Sequence, residues 1–129
     1  MADNTVDKVH MIIFNRTKNM QVVSNALKAD TFMTRLLGLI PRKTLGREEG
    51  LWLDPCAMIH TCFMSFPIDA VFLTSDLRVA KVCPALKPWR CSPWVRGAQS
   101  VLELASGAAA GLFEAGDVLE FRKEIEKAP

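Results

Sequence analysis

The sequence predicts an α+β, mostly β fold: a single compact domain with a curled or barrel-like, largely antiparallel sheet and one or two short helices. Three observations lead to this prediction. The chain has 129 residues, half of them hydrophobic, which suits one domain with a substantial core. Short apolar runs rich in β-branched residues alternate with polar breaks, as in antiparallel strands. The regular strand and helix alternation of parallel sheets is absent from the sequence.

The strands and helices are predicted from the local spacing of apolar residues and from the polar, glycine and proline residues that separate the apolar runs. Strands are predicted, in chain order, at residues 10–15, 21–29, 51–53, 57–64, 68–74, 77–83, 98–105 and 118–124. The three strands between 57 and 83 are separated by short polar breaks and are interpreted as a meander. Short helices are predicted at 30–40, where apolar residues recur at helical spacing before Pro41, and at 106–113, with Ser106 as N-cap.

The predicted domain covers residues 9–124, with disordered tails at 1–8 and 125–129. Residues 84–97 hold three prolines and two tryptophans and predict an ordered, irregular loop. The net charge of +2 predicts no nucleic-acid partner, and no apolar run is long enough for a membrane span. The N-terminus lacks a signal-peptide pattern, so a cytoplasmic location with reduced thiols is expected. No cofactor is predicted.

Three ordered patterns resemble a known family. They are "RLLGLIP" followed by "EEGLWL", then "IHTCFMSFPIDAVFL", then "VLELASGAAAGLFEAGD". The set resembles the small bacterial and archaeal family known as domain of unknown function 192, over roughly 85 residues. That family looks like Arg-x-x-Gly-Leu-Met, Glu-Gly-Met, an aromatic-rich stretch into Pro-Leu-Asp-x-x-Phe, then Leu-Glu-x-x-x-Gly and Gly-Asp. The resemblance implies a compact β-rich domain with no agreed activity.

A row of potential metal donors occupies every second position of the predicted strand 57–64. If that strand forms a hairpin with 68–74, Asp69 joins the same face as His60 and Cys62. One hypothesis is a small enzyme in which Cys62 is the nucleophile, His60 the base and Asp69 the orienting acid. Another is a soft-metal site formed by Met58, His60, Cys62 and Met64. The third interpretation is an apolar core face or pocket lining.

Three charged residues invite either a structural or a ligand-binding interpretation. Asp69 interrupts an apolar strand, so it needs a partner: His60, Arg35 or backbone N–H groups at a turn. Arg35 is interpreted as a surface residue or as a clamp on a carboxylate. Glu103 is expected to point into solvent if Leu102 and Leu104 face the core.

The loop 84–97 is the best candidate for a contact surface. Trp89 and Trp94 either form an exposed aromatic shelf with Lys87, Arg90 and Arg96, or pin the loop onto the sheet. With Arg35, His60 and Asp69, the two tryptophans complete the predicted ligand-binding set. The leading hypothesis is therefore a binding or accessory module with a small pocket or groove near 57–73 and 84–97. It would take a small ligand, glycan or peptide, and whether it is also an enzyme stays open.

Overall fold

A computed structural model of the chain contains one mixed sheet of seven strands. It describes residues 8–29, 45–61 and 64–126. The strands are β1 (Lys8–Asn15), β2 (Met20–Ala29), β3 (Glu49–Leu53), β4 (Ile68–Leu73), β5 (Val79–Leu86), β6 (Ser100–Ala105) and β7 (Leu119–Glu126). Most strand predictions are confirmed, with ends shifted by a few residues. The predicted tails and the predicted helix at 30–40 fall almost entirely outside the described residues.

The strand order is β5-β4-β6-β3-β2-β1-β7, and every neighbouring pair is antiparallel except β2 with β3. The mostly β, largely antiparallel prediction is therefore confirmed. The sheet is not closed by a continuous ladder. Its two edge strands meet only where they begin, at an isolated bridge between Arg78 and Val118.

Both faces of the sheet are covered, which explains why all six residues of β4 are buried. The first core draws on all seven strands and lies on one face of the sheet. Its members include Ile13, Val23, Trp52, Val71, Val79, Leu102 and Leu119. The second core lies on the opposite face, where Ile68, Ala70, Phe72 and Val101 contact loop residues Leu45, Ile59, Met64 and Val95. Alternation along β4 and β6 supplies one set of side chains to each core.

The predicted helix at 106–113 is not confirmed, because this segment forms consecutive turns. Ala108 N–H donates to Ala105 O at 2.9 Å, and Phe113 N–H donates to Ala109 O at 3.1 Å. Gly107 and Gly111 adopt φ values of 89° and 76°. Left-handed backbone at two positions four residues apart interrupts any right-handed helix, so the small residues form a folded cap over the first core.

Candidate functional site

The described part of the predicted strand 57–64, residues 57–61 and 64, does not form the predicted hairpin with β4. In the described residues, β4 pairs with β5 and β6 along its length, so the meander prediction is right for its last two strands and wrong for its first. Segment 57–61 instead lies against the loop that follows β5. Four backbone hydrogen bonds join them, from Val95 N to Ala57 O, Ser92 N to Ile59 O, Thr61 N to Arg90 O and Trp89 N to Thr61 O. The alternation predicted for this stretch is correct, but its partner is the proline-rich loop.

Two buried hydroxyl groups anchor that loop. Thr61 Oγ1 donates to Lys87 O and accepts the N–H of Arg90 at 2.9 Å. Ser92 Oγ accepts the N–H of Ile59 at 3.0 Å. Both residues are buried, so the bonds are shielded from water. No role for Thr61 or Ser92 is predicted from the sequence. A hydroxyl group at an inward-facing position of an apolar stretch needs a hydrogen-bond partner, and that pattern could have pointed to both residues.

Asp69 lies on the inner side of the sheet and is fully buried. Its Oδ1 accepts the N–H of Ala85 at 2.8 Å, and its Oδ2 accepts the N–H groups of Gly107 and Ala109 at 3.0 and 2.9 Å. Three donors match the capacity of a carboxylate and compensate for its desolvation. Asp69 therefore clamps the start of the 106–113 cap and the end of β5 onto β4.

The structure does not bring the predicted catalytic set together. His60 lies on the segment that covers the second core, whereas Asp69 faces the cap on the other side of β4. The prediction that a 57–73 hairpin places His60 and Asp69 on one face is therefore wrong. Cys62 lies outside the described residues. Arg35 does so as well, so its predicted role as a carboxylate clamp stays a prediction.

The predicted soft-metal row is divided by burial. Met58 and His60 are exposed, whereas Met64 is buried in the second core. Because Met64 is buried while Met58 and His60 are exposed, these three side chains do not share the face that the predicted four-residue site requires. Within the described ranges, no three His, Cys, Asp or Glu side chains come close enough together to hold a metal ion. Cys83 and Cys91 are free thiols, so no disulfide joins them.

Glu103 corrects a sequence-based expectation. Leu102 and Leu104 do face the first core, but Glu103 is only 4% exposed, because the second core covers its face of the sheet. Its neighbours across the strands are Leu51 and Ala70. No hydrogen bond or ion pair to a described residue holds its carboxyl group. Burial raises the pKa of Glu103 to about 8, which keeps the group protonated at neutral pH.

Two tryptophans on the 84–97 loop lie in solvent. Trp89 is 57% exposed and Trp94 is 71% exposed, which favours the interpretation as an exposed aromatic shelf over the one in which the tryptophans pin the loop onto the sheet. Met58 is 47% exposed on the segment that pairs with this loop. The three apolar residues and the exposed cations Lys87, Arg90 and Arg96 together are termed the tryptophan surface.

A separate groove of about 410 Å³ lies on the cap side of the sheet. Its lining residues are Gln21, Val22, Val23, Arg47, Glu48, Ala108 and Leu112. Backbone bonds from Ser24 N and Asn25 N to Glu48 O fix one wall. No local sequence pattern predicts this groove, because its walls come from three separate segments of the chain.

Comparison with known proteins gives the family. The model of domain of unknown function 192, described as "Uncharacterized ACR", matches residues 13–121. The chain belongs to this family. A UPF0127 protein of Pyrococcus furiosus is 34% identical over 119 residues, covering 88% of this chain and all of the relative. A UPF0127 protein of Pyrococcus horikoshii is 40% identical over 82 residues, covering 61% of this chain and 70% of that one.

A solved crystal structure is also similar to this chain. It is a protein of unknown function from Novosphingobium aromaticivorans, with a TM-score of 0.74 and 26% identity, covering 90% of this chain and 84% of that chain. No described helix is long and apolar enough to cross a membrane. The family description and the names of these three similar proteins state no activity.

The DUF192 motifs meet in space as structural clamps. Asp69 from "PID" accepts the N–H of Gly107 from "LELASG", which joins two motifs that are 38 residues apart. Asp117 from "GD" accepts Asn15 Nδ2 at 2.7 Å and the N–H of Glu114 at 2.9 Å. These acids hold the fold together, which leaves the exposed tryptophan surface as the feature that folding does not explain.

Proposed function

We propose that this DUF192 chain is a binding module that holds an acidic peptide segment of a partner protein on the tryptophan surface. The exposure of Trp89 and Trp94 is the observation that carries the proposal. Large aromatic side chains left in water are unfavourable for a lone domain and are enriched where proteins contact partners.

The surface has rigid support. The loop beneath the tryptophans is fixed by the Thr61 and Ser92 hydroxyl groups and by the backbone bonds to segment 57–61. A contact surface that is already ordered loses little conformational entropy when it binds. This distinguishes the loop from a solvated linker that happens to carry tryptophans.

The local charge selects the chemistry of the partner. Segments 55–68 and 84–98 contain three cations, Lys87, Arg90 and Arg96, and no acidic residue. The chain as a whole has a net charge of only +2, so these segments are more basic than the rest. Cations beside exposed aromatic rings favour a ligand with carboxylates and apolar groups in alternation. An acidic peptide meets both requirements, whereas a neutral glycan uses only the rings.

The test uses the full chain and defined peptide pools. A pool of random nine-residue peptides made of Asp, Glu, Phe, Leu and Gly is compared with a pool in which Lys replaces both acids. Binding is followed by intrinsic tryptophan fluorescence at two salt concentrations. We expect the acidic pool to bind, the basic pool to fail, and affinity to fall as salt rises.

Variants then locate the contact. Trp89→Ala and Trp94→Ala should each weaken binding by about tenfold or more, the effect of a contact hot spot, with the unfolding free energy changed by less than about 1 kcal/mol. Leu27→Ala is the matched control, because Leu27 is 46% exposed on β2, away from the loop. Unchanged binding by both tryptophan variants would refute the proposal. Salt-independent binding of neutral oligosaccharides, with no binding of acidic peptides, would also refute it.

A further inference from the structure

The isolated bridge between His60 and Cys91 places an imidazole opposite a thiol on the protein surface. The backbone hydrogen bonds on either side of the bridge run from Ser92 N to Ile59 O and from Thr61 N to Arg90 O, both at 2.8 Å. The backbones of His60 and Cys91 therefore form no hydrogen bond with each other. This is the closer type of antiparallel pair, with Cβ atoms about 4.5–5.5 Å apart and side chains on one face.

Both residues point outward. Ile59, Thr61 and Ser92 are buried, whereas His60 and Cys91 are exposed, as alternation requires. The surrounding charge is positive, since Arg90 is adjacent in sequence and no acidic residue occurs in segments 55–68 and 84–98. An exposed cysteine beside a histidine in a basic environment is the setting in which protein thiols react as nucleophiles.

We infer that Cys91 and His60 form a thiol–disulfide exchange site for small anionic disulfides. The His60 imidazole accepts the Cys91 proton, and the thiolate attacks one sulfur of the disulfide. A new S–S bond joins Cys91 to that sulfur while the original S–S bond breaks. The other half leaves as a thiolate with the electron pair and then takes up a proton. Cys91 is thereby oxidised and the departing half is reduced. This inference is independent of the proposed peptide partner.

The anionic preference follows from the neighbouring cations. Lys87, Arg90 and Arg96 are exposed on the same loop and attract a disulfide that carries carboxylates. Cys83 provides an internal reference, because it lies on β5, packs partly buried against the second core, and burial raises the pKa of its thiol. A raised pKa and restricted access both slow exchange.

The test uses the reduced full chain with two probes, dianionic dithiobis(nitrobenzoate) and neutral dithiodipyridine, followed by peptide mapping of the modified thiol. At neutral pH we expect the fast phase to map to Cys91 and to exceed the rate of Cys83 by at least about tenfold. The folded chain should also react faster at Cys91 than the urea-unfolded chain does. Added salt should slow the dianionic probe more than the neutral one.

His60→Gln separates the pair from simple exposure. This variant should slow the Cys91 reaction by about threefold or more and move the midpoint of its pH–rate profile upward, while its unfolding curve stays close to that of the unchanged chain. Cys91→Ser should remove the fast phase, and Cys83→Ser should keep it. The inference is overturned if the fast phase maps to Cys56 or Cys62. It is equally overturned if folded and unfolded chains modify Cys91 at the same rate, or if His60→Gln leaves rate and profile unchanged.

Discussion

Glu103 makes the stability of this protein depend on pH in a direction that the structure fixes. Its carboxyl group is buried between Leu51 and Ala70 beneath the second core, and burial raises its pKa from 4.5 to about 8. Between these two pH values the folded chain keeps the proton and the unfolded chain releases it. Raising the pH therefore favours unfolding, and the stability present below about pH 4.5 is lost progressively up to about pH 8.

The magnitude follows from the pKa difference. Each pH unit in this window lowers the unfolding free energy by about 1.4 kcal/mol, so the change from pH 5 to pH 8 is about 4 kcal/mol. Glu103→Gln has the same shape as the protonated acid and cannot ionise. The difference in unfolding free energy between Glu103→Gln and the unchanged chain should therefore grow by about 4 kcal/mol, in favour of the variant, across that range.

Urea unfolding at pH 5, 6, 7 and 8 measures this difference directly. Contributions from all other titrating groups are present in both proteins and cancel. Glu124→Gln, at an exposed position on β7, is the control for replacing a glutamate by glutamine. If the Glu103→Gln difference does not change between pH 5 and pH 8, the Glu103 carboxyl is ionised in the folded state and the burial argument fails.

Two further predictions concern residues that hold the site in place. Asp69→Asn removes one of two acceptor oxygens from a group that accepts three backbone N–H bonds. It should lower the unfolding free energy by about 3 kcal/mol in urea titration, and a loss below 1 kcal/mol would contradict the clamp. Thr61→Val leaves the Arg90 N–H without its side-chain acceptor, and Lys87 O loses a donor. It should cost about 1–3 kcal/mol and speed amide exchange in residues 87–92, and unchanged exchange there would show that Thr61 does not anchor the loop.

Most strands were predictable because their signal is local. Runs such as "HMIIFN" and "IDAVFL" carry β-branched and aromatic residues between polar breaks, and they form β1 and β4. The predicted alternation is confirmed for residues 58–61, where Ile59 and Thr61 are buried and Met58 and His60 are exposed, but Met64 is buried and departs from it. Pairing is not local, however, and the partner of that segment is a loop about 30 residues further along the chain.

The errors at the candidate site share this origin. A hairpin between 57–64 and 68–74 would have placed His60 beside Asp69, but β4 is a central strand with β5 and β6 on its two sides. Its two faces therefore belong to different cores, and Asp69 lies across the sheet from His60. Glu103 is predicted to lie in solvent because one face of a simple antiparallel sheet is often exposed to water. In this protein, however, packed residues cover both faces of the sheet.

The amino-acid sequence by itself determined the β-rich class, the position of most strands, the family motifs and the need of Asp69 for a partner. These follow from side-chain type and spacing, which act over a few residues. The tertiary structure decided which segments pair. It also decided that Asp69 is held by backbone N–H groups, whereas Glu103 is buried without a described partner. Finally, it placed Trp89 and Trp94 in water, on the same loop as Cys91. Those outcomes depend on strand order and on which loop covers which face, and both are set by contacts between distant parts of the chain.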